Sequence, residues 1–224
     1  MAGFRHEWKI EINAVDAAVI RSRLRAVAKE DAHGRGGKYE IRSLYFDNLK
    51  DKALREKIDG VNTREKFRIR YYNKDISLIK LEKKRKYNGL TGKESVLLSA
   101  EEVQKIAEGD NSFMVHSGKK LLTELYSKMQ AQGLAPKTIV DYTREAFVYP
   151  AGNVRVTLDY NIRTGFGGTD FLNPDCVTIP AGDAGIIMEV KWDAFLPDII
   201  RDAVQLPGRR AGAYSKYAAC RIYG

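Results

Sequence analysis

The sequence of 224 residues predicts an α+β fold: an antiparallel β-barrel, or tunnel, of about eight strands with a polar lumen and flanking helices. Three observations predict it. Apolar and polar residues alternate with period two along five separate segments, as in strands with two unlike faces. The polar face of these segments is dominated by arginine and lysine at successive positions, where like charges side by side repel unless an anion lies among them. Between Arg64 and Lys86, ten basic residues stand against three acids, so most of the chain's net charge of +9 falls in one hairpin-sized segment. A closed sheet whose interior receives a polyanion accommodates all three.

Taken in order, the first strand covers 4–12, with Phe4, Trp8, Ile10 and Ile12 on one side and Arg5, Glu7, Lys9 and Glu11 on the other. A helix over 15–29 and a glycine-rich loop, HGRGGK, lead to a second strand at 39–47. Residues 48–58 form a short helix or an irregular connection. Strands at 64–72 and 76–86 pair as a hairpin across Asn73, Lys74 and Asp75. Ser99 and Glu102 have capping-box spacing and open a helix over 100–108. A longer helix covers 118–131 and ends near Gly133 and Pro136. Strands at 138–149, 154–163 and 185–192 follow, the first two joined by a turn from Pro150 to Asn153. Pro197 suits the first turn of a helix over 197–204, and a last helical turn or two covers 211–219. No repeat, linker or composition break divides the chain, which predicts one domain over 1–224.

Composition narrows the function. With 44% hydrophobic residues the chain can bury a core, which argues against disorder. No apolar run approaches the roughly 20 residues that span a bilayer, and the opening MAGFRHEWKI lacks a signal-peptide stretch. Cys176 and Cys220 stand in no metal or redox spacing, so a cytoplasmic location is expected. The positive balance points to nucleic acid, an anionic membrane surface or a phosphorylated ligand.

The alternation names the residues. Lys66, Arg68 and Arg70 share a face opposite Phe67, Ile69 and Tyr71, and Lys80, Glu82 and Lys84 share one on the returning strand. Arg155, Thr157, Asp159 and Arg163 alternate with Val154, Val156, Leu158, Tyr160 and Ile162. Glu189 and Lys191 oppose Met188, Val190 and Trp192. Turned inward, arginine forks and lysine point charges meet phosphate oxygens. The acids among them, Glu7, Glu82 and Glu189, can hold a hard divalent cation that bridges phosphates. The basic hairpin then forms one wall of a phosphate-binding tunnel.

With these residues assembled, the chain resembles the VTC-type polyphosphate polymerases of the triphosphate tunnel metalloenzyme (CYTH-like) superfamily. The resemblance is carried in order by RHEWKIEIN, IRSLYFDN, KFRIRYYN, LIKLEKKRK with TGKES, DYTREAFV, VRVTLDYNIR, IIMEVKWD and AYSKYAACRIYG. TGKES is read with it as the next strand and loop. Each piece is weakly specific, and the ordered set is strong. The resemblance implies an eight-stranded tunnel that binds a nucleoside triphosphate with Mn²⁺ or Mg²⁺ and passes the γ-phosphate to a growing polyphosphate chain. Together with the alternation it assigns Arg68, Arg70, Lys84 and Lys216 as catalytic cations. Lys9, Arg42, Lys66, Lys80, Arg144, Arg155, Lys191 and Ser215 are assigned as phosphate contacts, and Glu189, Glu7 and Glu82 as metal ligands. ATP or another triphosphate and polyphosphate are the implied ligands, and a membrane-protein partner follows by analogy with the family. Two departures stand out. Ala213 occupies the place of a family lysine before the Ser-Lys pair, and the first strand reads E-W-K-I-E rather than the E-x-E-x-K of the hydrolytic branch.

Other signals carry less. HGRGGKY lacks the G-x-x-x-x-G-K-[ST] spacing of a P-loop, and His6, His33 and His116 are scattered. Tyr71 is expected to pack outward under a helix rather than stack a base, and Tyr214 and Tyr217 to anchor the last helix. The competing functions are a tunnel-type triphosphatase and a non-catalytic polyanion or nucleic-acid binding module. Nucleic acid is disfavoured because the basic residues alternate with large apolar ones instead of lying on an open surface among aromatics.

Overall fold

The computed structural model describes residues 5–32, 34, 36–183 and 185–222; Phe4 and His33 lie outside them. In chain order the elements are β1 (His6–Ile12), α1 (Ala14–Val27), β2 (Lys29–Glu30), β3 (Lys38–Asp47), α2 (Lys52–Ile58), β4 (Arg64–Tyr72), β5 (Asp75–Tyr87) and β6 (Leu90–Leu98). There follow α3 (Ala100–Glu108), α4 (Phe113–His116), α5 (Lys120–Gln132), β7 (Ala135–Tyr149), β8 (Val154–Thr164), β9 (Ile179–Pro180), β10 (Ile186–Trp192), α6 (Asp198–Val204) and α7 (Lys216–Ile222). Eight strands curl into one antiparallel sheet in the order β1-β10-β8-β7-β3-β4-β5-β6, with the two-residue strands β2 and β9 added at β7 and β8. The two ends of that path meet where Arg5 and Thr91 exchange backbone hydrogen bonds of 3.1 and 3.2 Å.

β6 is longer than TGKES alone suggests. A two-residue turn at Asn88 (φ 45°) and Gly89 (φ 83°) reverses the chain and pairs Tyr87 with Leu90. Left-handed backbone at both central positions matches the right-handed twist of a hairpin, and Asn-Gly is the sequence that supplies it. The final helix begins at Lys216 rather than near 211, because Ser215 caps it through Ala218 N–H at 3.3 Å. Reciprocal capping boxes lie at Asn13–Asp16, opening α1, and at Ser99–Glu102, opening α3.

Period two divides the strands between three apolar clusters. Phe67, Ile69, Ile79 and Leu81 face outward under α3, α4 and α5; Tyr71 also faces outward, as the sequence predicts, but packs on Phe171 of the loop after β8, with ring centres 4.8 Å apart. Ile10, Ile12, Val156, Leu158, Met188 and Val190 face α1 and α6. Tyr45, Val140, Tyr142 and Ile162 face inward against Tyr217 and Cys220 of α7. Tyr39, Ile41, Ala146 and Ile187 join that inward cluster, and charged side chains fill the rest of the lumen. Among the described residues no helix is long and apolar enough to cross a membrane.

One break in period decides a side chain's direction. Asn161 takes φ 52° and the β7–β8 register shifts there, which marks a bulge. Beyond it Ile162 and Thr164 turn inward, and Arg163 turns outward to Thr178. Strict alternation had placed Arg163 with Arg155 and Asp159. The extra residue reverses that parity.

Candidate phosphate tunnel

β4 and β5 each bring three charged groups to the lumen and the other strands fewer, and four carboxylates hold most of them in place. Asp159 of β8, with no solvent exposure, accepts two hydrogen bonds from Arg144 of β7 at 2.6 and 2.7 Å and pairs with Lys216 of α7. Glu189 of β10 lies 2.8 Å from Lys191 and 3.5 Å from both Lys9 and Arg144. Glu7 of β1 pairs with Lys9 at 3.2 Å and Lys84 at 3.0 Å, and accepts from Thr91 at 3.2 Å. Glu82 of β5 binds Arg68 at 2.7 Å and Lys93 at 2.6 Å, with Arg70 at 3.9 Å. Residues far apart in sequence therefore converge because the sheet curls until its ends meet at Arg5 and Thr91.

Tyrosines finish the lining. Arg68 donates to the Tyr45 hydroxyl and Arg70 to the Tyr142 hydroxyl and Ser43, each at 2.9 Å. The Lys216 ammonium lies 4.8 Å from the Tyr142 ring centre, and Lys66 5.1 Å from that of Tyr45. Lys66 meets no carboxylate within ion-pair distance among the described residues.

The electrostatics follow from burial and from these neighbours. Burial opposes the charge on Glu189, but Lys191, Lys9 and Lys216 hold its carboxyl well below the usual range. Burial and Glu189 oppose ionisation of Glu7, and Lys9 and Lys84 outweigh them. Burial likewise acts against the Lys9 ammonium, yet Glu189 and Glu7 raise it. Burial lowers Lys66 to about 8, with Lys9 and Arg68 adding repulsion. Lys84 falls to about 7 through burial and Lys9. Burial would raise the Tyr45 phenol, but Arg68, Lys66 and Arg70 bring it to about 7. A lumen with depressed lysines and a depressed phenol is short of negative charge.

Of the sequence-predicted site residues, Lys9, Lys66, Arg68, Arg70, Lys84, Arg144, Lys191 and Lys216 share this lumen with Glu7, Glu82 and Glu189. Lys80 stands opposite Arg70 in the β4–β5 register, half-buried. Ser215 lines the tunnel mouth and caps α7. Arg155 is opposite Lys191 and is held at 2.8 Å by Asp31, just beyond β2. Arg42 is not in the lumen. Ser43 and Tyr45 point inward, so alternation turns Arg42 outward to a bidentate contact with Asp141 at 2.8 and 3.0 Å. Lys83 also leaves the tunnel wall, and Arg85 stays only at its mouth. Lys83, with no exposure, pairs with Glu65 at 3.2 Å and with Glu124 of α5, and Arg85 lies near Glu65 and Glu94. Part of the hairpin's excess charge thus fastens α5 to the sheet.

The metal-ligand prediction divides. Glu7 and Glu189 lie close enough for their side chains to interact directly around the Lys9 ammonium, whereas Glu82 is saturated by Arg68, Arg70 and Lys93. Among the described residues no three acidic, histidine or cysteine groups converge as a metal cage. A pair of carboxylates open to a phosphate chain still fits Mg²⁺ or Mn²⁺, which keep several ligands for water and substrate oxygens. Sequence reasoning left Asp159, Tyr45, Tyr142 and Lys93 out of the site. Asp159 carried a signal, being on the same face as Thr157; Lys93 carried one in the Asn88-Gly89 turn that makes its segment a strand.

Two adjoining cavities of about 120 and 390 Å³ open the lumen to solvent, sharing Lys57, Arg64, Lys86 and Ser215. A larger cavity of about 590 Å³ lies beside Arg42 and Asp141 and is also lined by Ile41, Tyr142 and Ile162. Arg42 pairs there with Asp141, Lys74 with Asp175 at 3.7 Å, and Arg163 donates to Thr178; the lumen gathers far more cations and is the chemically equipped site.

Known proteins match this architecture. A protein from Bacillus halodurans provisionally named an adenylate cyclase superposes with a TM-score of 0.51 at 14% identity, covering 84% of this chain and 79% of its own. The PH1012 protein of Pyrococcus horikoshii OT3 gives 0.50 at 12% identity, covering 95% and 96%. At these identities the likeness is one of fold. No curated protein matches the sequence. The family model described as the VTC domain matches residues 4–222. The chain belongs to the VTC domain family, and its lumen is that of a tunnel-type triphosphate-binding enzyme.

Proposed function

We propose that the protein is a polyphosphate polymerase that transfers the γ-phosphoryl group of ATP to the end of a growing inorganic polyphosphate chain. The observation that carries this reading is the gradient of pairing along the cationic path. Inside, Lys9, Lys84, Arg68, Arg144, Lys191 and Lys216 each have a carboxylate partner. At the mouth Lys57, Arg64 and Lys86 meet no carboxylate among the described residues, and Lys57 and Lys86 are lowered by burial and then by Arg64. A cation path that outruns its own acids suits an anion longer than a triphosphate.

Phosphoryl transfer asks mainly for positioning and charge neutralisation, and the chain's own groups supply both. Arg68, Arg70, Lys84 and Lys216 act as the catalytic cations, displacing their carboxylate partners toward the remaining lysines as phosphate oxygens enter. Lys9, Lys66, Lys80, Arg144, Arg155, Lys191 and Ser215 extend the contact. Glu189 and Glu7 would hold Mn²⁺ or Mg²⁺, which when bound neutralises charge on the transferring phosphate. The same Glu7–Glu189 pair favours the second reading, a triphosphatase in which a positioned water replaces the chain end. Nucleic acid is disfavoured because the lumenal rings of Tyr45 and Tyr142 are covered by Lys66, Arg68, Arg70, Arg144 and Lys216 and present no free face to a base. The test is incubation with ATP and Mn²⁺ followed by electrophoretic separation of products. Long polyphosphate supports the polymerase; free phosphate without polymer supports the triphosphatase.

A further inference from the structure

We propose that Asp47 is a positioning residue that sets Lys216 in the lumen by holding the hydroxyl of Tyr217. The idea rests on the tunnel reading for its functional meaning, though its geometry does not. Asp47 is 1% exposed and closes β3. Its carboxylate accepts from the backbone N–H groups of Asn48 and Ala53 at 2.9 Å each and of Leu54 at 3.1 Å. Asp51, the residue preceding α2, makes no side-chain cap, so Asp47 caps that helix from a distance. A fourth donor comes from the other end of the chain: the Tyr217 hydroxyl donates to Asp47 at 2.6 Å.

Cys220 holds the far end of α7, its carbonyl accepting from the Thr164 hydroxyl at 3.0 Å, while the Tyr217–Asp47 bond fixes the end that carries Lys216. The Tyr217 ring, 1% exposed, stacks on Tyr45 with centres 5.0 Å apart, and Tyr45 accepts from Arg68. The next residue back is Lys216, which reaches Asp159 and the face of Tyr142. A second tie runs parallel, from Arg221 to Asp51 at 2.9 Å. A buried carboxylate with four donors cannot reorient without leaving one unpaired. The N-terminus of α2 and the catalytic end of α7 are therefore locked to β3 through one side chain.

Tyr217→Phe removes the hydroxyl and keeps the ring and its stacking. Two measurements separate the outcomes. The first is acylation of Lys216 by a lysine-directed reagent, read by mass spectrometry, with buried Lys83 as the internal control for general loosening. Faster labelling of Lys216, by about threefold or more with Lys83 unchanged, is the expected result. Unchanged Lys216, or a rise shared by Lys83, overturns the proposal. The second is tripolyphosphate affinity in a double-mutant cycle. Tyr217→Phe should weaken binding about fivefold in the wild type and less than about twofold beside Lys216→Ala; equal losses in both backgrounds overturn the proposal. Asp47→Asn should reproduce both effects, and normal Lys216 labelling in it overturns the proposal too. Absence of tripolyphosphate binding by the wild type, with Lys216 labelling still raised in Tyr217→Phe, would remove the tunnel reading and leave the positioning role standing.

Discussion

Glu189 lies 2.8 Å from Lys191 and within 3.5 Å of Lys9 and Arg144, so its carboxylate offsets positive charge that a phosphate would otherwise meet. Glu189→Gln keeps the shape and removes that offset. Tripolyphosphate should bind at least as tightly to this variant while turnover falls by two orders of magnitude or so, because hard-cation binding needs the charge. Near-normal turnover at ordinary metal concentration would move the metal to Glu7. Lys66 offers a different measurement. Its folded value of about 8 lies below the ordinary 10.5, so between these values the unfolded chain binds more protons than the folded one. Its contribution to stability is therefore unfavourable at neutral pH and improves as pH rises through that window. A bound phosphate favours the ammonium, so binding at pH 8.5 should take up protons. Calorimetry in buffers of different ionisation enthalpy should show more uptake for the wild type than for Lys66→Arg. Equal uptake would take Lys66 out of the phosphate path.

At the scale of elements, closure depends on the β5–β6 hairpin. β6 carries Thr91, whose backbone meets Arg5, and Lys93, whose ammonium holds Glu82. Gly89 turns that hairpin at φ 83°, a backbone region that costs an L-residue about 1–2 kcal/mol. Nothing lies within 4 Å of a Cβ built there, so Gly89→Ala tests the dihedral cost alone. The urea midpoint should fall by an amount equivalent to about 1 kcal/mol with the slope unchanged. An unchanged midpoint would mean that the turn relaxes without strain.

For the whole molecule, charge is distributed by depth. Lumenal cations other than Lys66 are balanced by Glu7, Glu82, Asp159 and Glu189, while Lys57, Arg64 and Lys86 at the mouth are not. Replacing these three together with alanine should lower affinity for polyphosphate of several tens of units about tenfold, or about 1.4 kcal/mol. Tripolyphosphate affinity should change by less than about threefold at the same ionic strength. Equal losses for both ligands would make the mouth a general attractor, with no preference for a long chain.

Alternation and local charge were enough to read the antiparallel strands, most of their inward cations and the family resemblance. Both were readable because they are properties of neighbouring residues. Lys66, Arg68 and Arg70 were legible for that reason, and so was the outward packing of Tyr71. Tertiary structure decided which carboxylate meets which cation, since Asp159 of β8 meets Lys216 only where α7 packs against β7 and β8. It also turned Arg42 outward, reversed Arg163 at the Asn161 bulge and gave Lys83 to α5. Local alternation states that two faces differ, but only packing against helices decides which face is inside, and one bulge changes the answer for every residue beyond it.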